Sequence, residues 1–119
     1  MATVNITVEN DADFYCQFQY VTANAEGSPG PPIDMTGVSL LEMMLRRNAA
    51  DQTALLRLGT DTGEIVMTDP VNGFFTVLIV QATLQALGLG SFDHSLIMTR
   101  GGKTKIWAGT LINNAGPTR

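Results

Sequence analysis

Few of the 119 residues can do chemistry: there is one His, one Cys and no dense acidic run. His94 is flanked by Asp93 and Ser95, the three residue types of a nucleophile–base–orienter relay. Their spacing defeats that reading. The alternation from Phe92 to Met98 is that of a strand, where neighbours point to opposite faces. His94 then shares a face with Leu96 and Met98, and is expected as a packed or rim histidine. Cys16 falls between Phe14 and Phe18 on an apolar face, and is expected as an inert core residue. Asp11 and Asp13, with Glu9 and Asn10, offer the alternating oxygens of a calcium loop. No Gly-containing loop of the right length follows them, and an inter-strand turn explains the same residues. Gly102-Lys103-Thr104 is similar to the end of a phosphate-binding loop, but Ile97 stands where that loop needs Gly. A strand rather than a helix N-terminus follows it, so a hairpin is the better reading. Asn5-Ile6-Thr7 has the form of a glycosylation acceptor, which has no meaning without secretion. A single Cys excludes an internal disulfide, and a single His excludes a His-rich metal site. The expectation is a chain that is not an enzyme and carries no metal or cofactor.

The elements that position these residues are strands. Val4, Ile6 and Val8 alternate with polar residues, and after a polar break at residues 10–13 so do Phe14, Cys16, Phe18 and Tyr20. Further strands are expected at Val38–Arg46, Leu55–Leu58, Ile65–Met67, Phe74–Val80, Ser91–Thr99 and Lys103–Ile112. The Val38–Arg46 segment is rich in helix formers, and its strand reading rests on its neighbours. Asp61-Thr62-Gly63 and Asp69-Pro70-Val71-Asn72-Gly73 read as hairpin turns, and Gly101-Gly102 as a two-residue turn. Gln81–Leu87 has helical composition and is closed by Gly88. About eight short strands with turn signals between them predict an all-β antiparallel sandwich with one short helix before the last hairpin. Residues 1–119 then form one domain, with a Pro/Gly loop at 23–32 that cannot continue a ladder and a frayed tail at 113–119.

One strand breaks the two-faced pattern. Phe75, Val77 and Ile79 make one side of Phe74–Val80, while Phe74, Leu78 and Val80 make the other with Thr76 alone polar. A sandwich strand should meet water on one face. Either the Gln81–Leu87 helix covers the second face, or a partner protein does. Met44, and Ile106 or Trp107 depending on register, extend the same candidate interface.

Composition narrows the function classes. The chain is 45% hydrophobic and only 15% charged, against about 25% in an ordinary domain. Seven basic against eleven acidic residues give a net charge of −4, which speaks against a nucleic-acid partner. The N-terminal residues have no signal-peptide pattern and no apolar run reaches membrane-spanning length. The expectation is synthesis in the cytosol, with no membrane partner.

Taken in order, these segments resemble the small immunoglobulin-like virion proteins of tailed phages, related to the N-terminal domain of baseplate upper proteins. The resemblance is carried by Asn10-Asp11-Ala12-Asp13-Phe14, by Asp34-Met35-Thr36-Gly37-Val38 and by Gly59-Thr60-Asp61-Thr62-Gly63-Glu64-Ile65. It continues in Gly73-Phe74-Phe75-Thr76-Val77-Leu78-Ile79, Thr83-Leu84-Gln85-Ala86-Leu87-Gly88, Phe92–Arg100 and Lys105-Ile106-Trp107-Ala108-Gly109. The Pro-rich loop is longer than that family's, and Ser95 and Ala108 replace its acidic residues. The resemblance implies an immunoglobulin-like sandwich and a structural role in the virion. The chain would act as an adaptor in the tail or baseplate, present in multiple copies and contacting other virion proteins. The alternatives are a capsid-decoration or head-fibre protein, or a carbohydrate-binding module using Tyr15, Trp107 and Phe74.

Overall fold

A computed structural model describes residues 2–23 and 29–117 of the chain. Eleven strands and one helix are present among the described residues. The larger sheet holds β1 (Ala2–Thr3), β2 (Ile6–Glu9), β6 (Leu40–Arg46), β7 (Leu56–Gly59), β10 (Gly90–Arg100) and β11 (Gly102–Asn114). The smaller sheet holds β3 (Phe14–Gln19), β8 (Ile65–Asp69) and β9 (Phe74–Ile79). Helix α1 (Gln81–Leu87) links β9 to β10. The order β11-β10-β6-β7 facing β3-β9-β8 is that of a variable-type immunoglobulin sandwich. The protein is therefore an immunoglobulin-like all-β domain.

Alternation builds the two layers. In β6 Leu41, Met43 and Leu45 are fully buried and Glu42, Met44 and Arg46 face out, so tertiary pairing overrides the helical propensity of this segment. With no disulfide available, aromatic rings tie the layers together. Phe18 of β3 and Phe75 of β9 meet Trp107 of β11 with ring centroids 4.8 and 5.6 Å away. The N-terminal strands run parallel to β11 and kink at residues 4–5, where Val4 N–H donates to the Ala108 carbonyl at 3.0 Å. A Cβ on Gly109 would stand 2.0 Å from the Val4 carbonyl oxygen, so only glycine lets the kink approach β11.

Several expectations are corrected. Asp61-Thr62-Gly63 is not a hairpin: β7 pairs with β6 and β8 with β9, so this turn crosses from one sheet to the other. Glycine at positive φ (Gly63, φ +90) serves a crossing as well as a hairpin, and only the partners of the flanking strands decide. The Asp69–Gly73 turn is a hairpin, with a 3-10 turn at Pro70–Asn72 closed by Gly73 at φ +76. The last hairpin reverses at Gly101 alone, with Arg100 opposite Gly102.

The Pro/Gly loop does carry a ladder: β5 (Pro29–Pro32) pairs with β4 (Val21–Ala23). A two-stranded ribbon is all edge, where a missing N–H is tolerated. Residues 24–28 of that loop lie outside the described residues, as do Thr118 and Arg119 of the tail. The tail is not frayed at 113–116. Asn113 and Asn114 extend β11 against Val8 and Glu9, and the Gly116 amide donates to Asn10 Oδ1 at 3.0 Å.

Candidate functional site

His94 points into the sandwich and is 4% exposed. Asp93 and Ser95 lie on the opposite face, where Asp93 Oδ2 accepts the Ala49 amide at 2.8 Å. The three side chains therefore cannot form a relay. Cys16 faces inward but is half-buried. Asp13 is committed to structure: its Oδ1 accepts the Gln81 amide at 2.7 Å and caps α1 from across the chain. Among the described residues no three His, Cys, Asp or Glu side chains converge as a metal cage. Nor is any helix there long and apolar enough to cross a membrane.

The five interface candidates fall in three places. Phe74, Leu78 and Val80 share the outer face of the smaller sheet. Met44 sits on the outer face of the other sheet, on the far side of the sandwich. There it lines a dent of about 230 Å³ with Glu42, Ser95, Ile97 and Lys105. Trp107 is a correction: it is 5% exposed and belongs to the core. The cause is a β-bulge. Leu96 pairs with Trp107 and Ile97 with Lys105, so Ile106 is the extra residue and both Ile106 and Trp107 are buried. A carbohydrate platform of Tyr15, Trp107 and Phe74 is therefore not assembled.

The outer face of the smaller sheet stays open. Helix α1 turns Leu84 fully into the core and is held at the end of the sandwich. There Asn113 Nδ2 donates to the Leu84 and Gly88 carbonyls at 2.8 and 2.9 Å. The helix leaves Val80 42%, Val66 50% and Tyr15 67% exposed. Leu78 lies between Tyr15 of β3 and Glu64, whose carbonyl accepts the Leu78 amide at 2.8 Å, and Thr76 between Gln17 and Val66. No charged side chain lies among Tyr15, Gln17, Gln19, Thr76 and Val66, but Glu64 and Arg57 border the hollow beside Leu78 and Val80. Asp69 stands at the corner opposite Phe74 and accepts from Asn72. The sequence reading missed Val66. Its signal was an apolar residue between the inward positions Ile65 and Met67.

By contrast, the outer face of the larger sheet is charged. Arg57 Nε lies 3.0 Å from Glu42 and its Nη1 3.2 Å from Asp61. These hydrogen bonds hold the Arg57 pKa up and the Asp61 carboxyl below the usual range.

No protein-family model matches the chain, and no curated protein matches it. Solved structures do. One is the NK cell receptor Nkp44, a triggering partner in natural cytotoxicity. It is 17% identical with a TM-score of 0.49, and the match covers 96% of this chain and 100% of that one.

Proposed function

We propose that this immunoglobulin-like domain is a non-enzymatic structural component of a tailed-phage particle. It would dock tail-fibre or baseplate parts through the outer face of its smaller sheet. The observation that carries the docking role is that open face, with Tyr15, Val66 and Val80 exposed around half-buried Phe74 and Leu78 and charge only at its border, at Arg57, Glu64 and Asp69. Apolar residues gathered on one sheet face mark interaction sites more often than isolated exposed ones do. The phage setting rests on the ordered resemblance from Asn10 to Gly109 described above. The dispersal of His94, Asp93 and Ser95 to opposite faces supports a role without catalysis. The partners in this reading are other virion proteins, and the location is the virion after synthesis in the host cytoplasm.

Immunogold labelling of purified particles of the encoding phage tests the setting; gold at neither tail, baseplate nor capsid rejects it. Val66→Asp with Val80→Asp tests the face. Both side chains are at least two-fifths exposed, so the fold should survive the changes. The expected result is a folded chain absent from particles. Normal incorporation of the double variant would show that docking uses another surface.

A further inference from the structure

Among the described residues the smaller sheet ends at β3, whose ladder runs to β9 alone. The Tyr20 amide donates to the Gly73 carbonyl at 2.8 Å, which sets the phase of that ladder. Residues 14, 16 and 18 therefore aim their backbone groups at β9, while Tyr15, Gln17 and Gln19 aim theirs outward. Proteins guard such edges with charge, proline or a bulge. β8, the other edge of this sheet, has a register shift between Val66 and Asp69. The edge of β7 is covered at Gly59 by its own turn: the Gly59 amide donates to Glu64 Oε1 at 3.3 Å, and its carbonyl accepts the Gly63 amide at 3.1 Å. β3 has none of these guards. Phe14-Tyr15-Cys16-Gln17-Phe18-Gln19 carries no charge, Pro or Gly and keeps an unbroken register.

The packing behind this edge is also incomplete. Phe75, Val77 and Ile79 of β9 are at most 1% exposed, whereas the inward Phe14, Cys16 and Phe18 of β3 remain half-buried. A further strand continuing the sheet would cover them.

We propose that β3 pairs with β3 of a second copy of this chain, antiparallel across a two-fold axis, joining two smaller sheets into one of six strands. A pairing centred on Gln17 puts Gln17 opposite its own counterpart and Tyr15 opposite Gln19. The outward backbone groups of both copies then meet in phase. The inward Cys16 lies opposite Phe18, so each copy covers the other's half-buried ring. Each chain carries −4, yet this register sets no like charges opposite one another. Asp13, the charge nearest the strand, falls opposite Val21 rather than opposite itself. A charged peptide would find no counter-charge on β3, whereas a second copy is matched to it by symmetry. The pairing does not depend on the particle reading, because the purified chain is sufficient to test it.

Sedimentation equilibrium of the full chain should show a concentration-dependent dimer. Gln17→Pro removes both hydrogen bonds of the central pair. In the monomer that N–H points outward, where an edge strand tolerates proline. The expected result is a folded monomer at every concentration. Gln17→Lys sets two ammonium groups opposite each other and should weaken the dimer about fivefold. Gln17→Cys in a Cys16→Ser background should form a disulfide dimer on mild oxidation. Paired Cα atoms in that register are about 5.5 Å apart, within disulfide reach. Thr68→Cys on β8, also exposed, should not. Three results would each overturn the proposal: a wild-type chain monomeric up to about 1 mM, a dimer unchanged by both Gln17→Pro and Gln17→Lys, or equal crosslinking at positions 17 and 68.

Discussion

Stability should fall with pH because of one buried ring. His94 Nε2 lies 2.9 Å from the Val4 carbonyl oxygen. A carbonyl only accepts, so Nε2 carries the proton of the neutral ring and Nδ1 keeps its lone pair. Nδ1 is buried with no hydrogen-bond partner. Protonating it places a charge in the core. Burial accordingly holds the His94 pKa below its ordinary 6.5, against the opposing pull of the Val4 and Thr110 backbone and of the Asp93 charge. The unfolded ring takes up its proton near pH 6.5 and the folded ring only at lower pH. Between the two, the unfolded state binds more protons, so stability is full above the unfolded pKa and is lost as pH falls below it. One proton limits the slope to about 1.4 kcal/mol per pH unit. His94 is the sole histidine, and ordinary carboxylates titrate near pH 4, so the window from about pH 6.5 to 5 isolates it. Urea denaturation at constant ionic strength between about pH 7.5 and 5 should show a falling midpoint with unchanged m-value. His94→Gln, which keeps an N–H for Val4, should flatten the profile. A flat wild-type profile, or an equal slope in His94→Gln, would refute the reasoning.

Two further predictions concern the helix that closes the sandwich. Asn113→Ala removes the donor to the Leu84 and Gly88 carbonyls at a position 1% exposed; it should cost about 2–4 kcal/mol in chemical denaturation. A loss below about 1 kcal/mol would show that water satisfies those carbonyls instead. Asp13→Ala removes the cap on the Gln81 amide. It should cost about 1 kcal/mol and raise hydrogen exchange in the first turn of α1, where Val80 offers no side-chain cap. Unchanged exchange at residues 81–83 would show that the cap is not needed.

Much of the fold was legible because period-two patterning is local. Leu41, Met43 and Leu45 alternate with Glu42, Met44 and Arg46 in sequence and do so across β6. Gln81–Leu87 forms a helix over the residues whose composition suggested it, and Gly73 takes the positive φ that its hairpin needs. The doubly apolar segment Phe74–Val80 pointed to an unusual outer face; Phe74 and Leu78 do lie on it, and Val80 is exposed just beyond the strand's end. Met44 could not be placed from sequence, since outward positions on two sheets look alike until the layers are assigned. Trp107 was misplaced because a bulge inserts one residue into the alternation, and nothing local in Lys105-Ile106-Trp107 announces it.

Patterning, turn residues and composition alone determined that this is a two-faced β domain poor in charge, without the means for a relay or a His-rich metal site. Which strands share a sheet was decided only in three dimensions. The turn at Asp61–Gly63 crosses layers because β7 finds β6 and β8 finds β9, and turn chemistry is blind to that choice. The same holds for exposure. The sequence left a helix and a partner as equal covers for the second face of β9. The helix is drawn to the end of the sandwich by Leu84, Asn113 and Asp13, so the face stays open. The unguarded edge of β3 has the same origin: the N-terminal strands gain their hydrogen bonds by pairing with β11, and among the described residues β3 is left without a partner strand on its outer side.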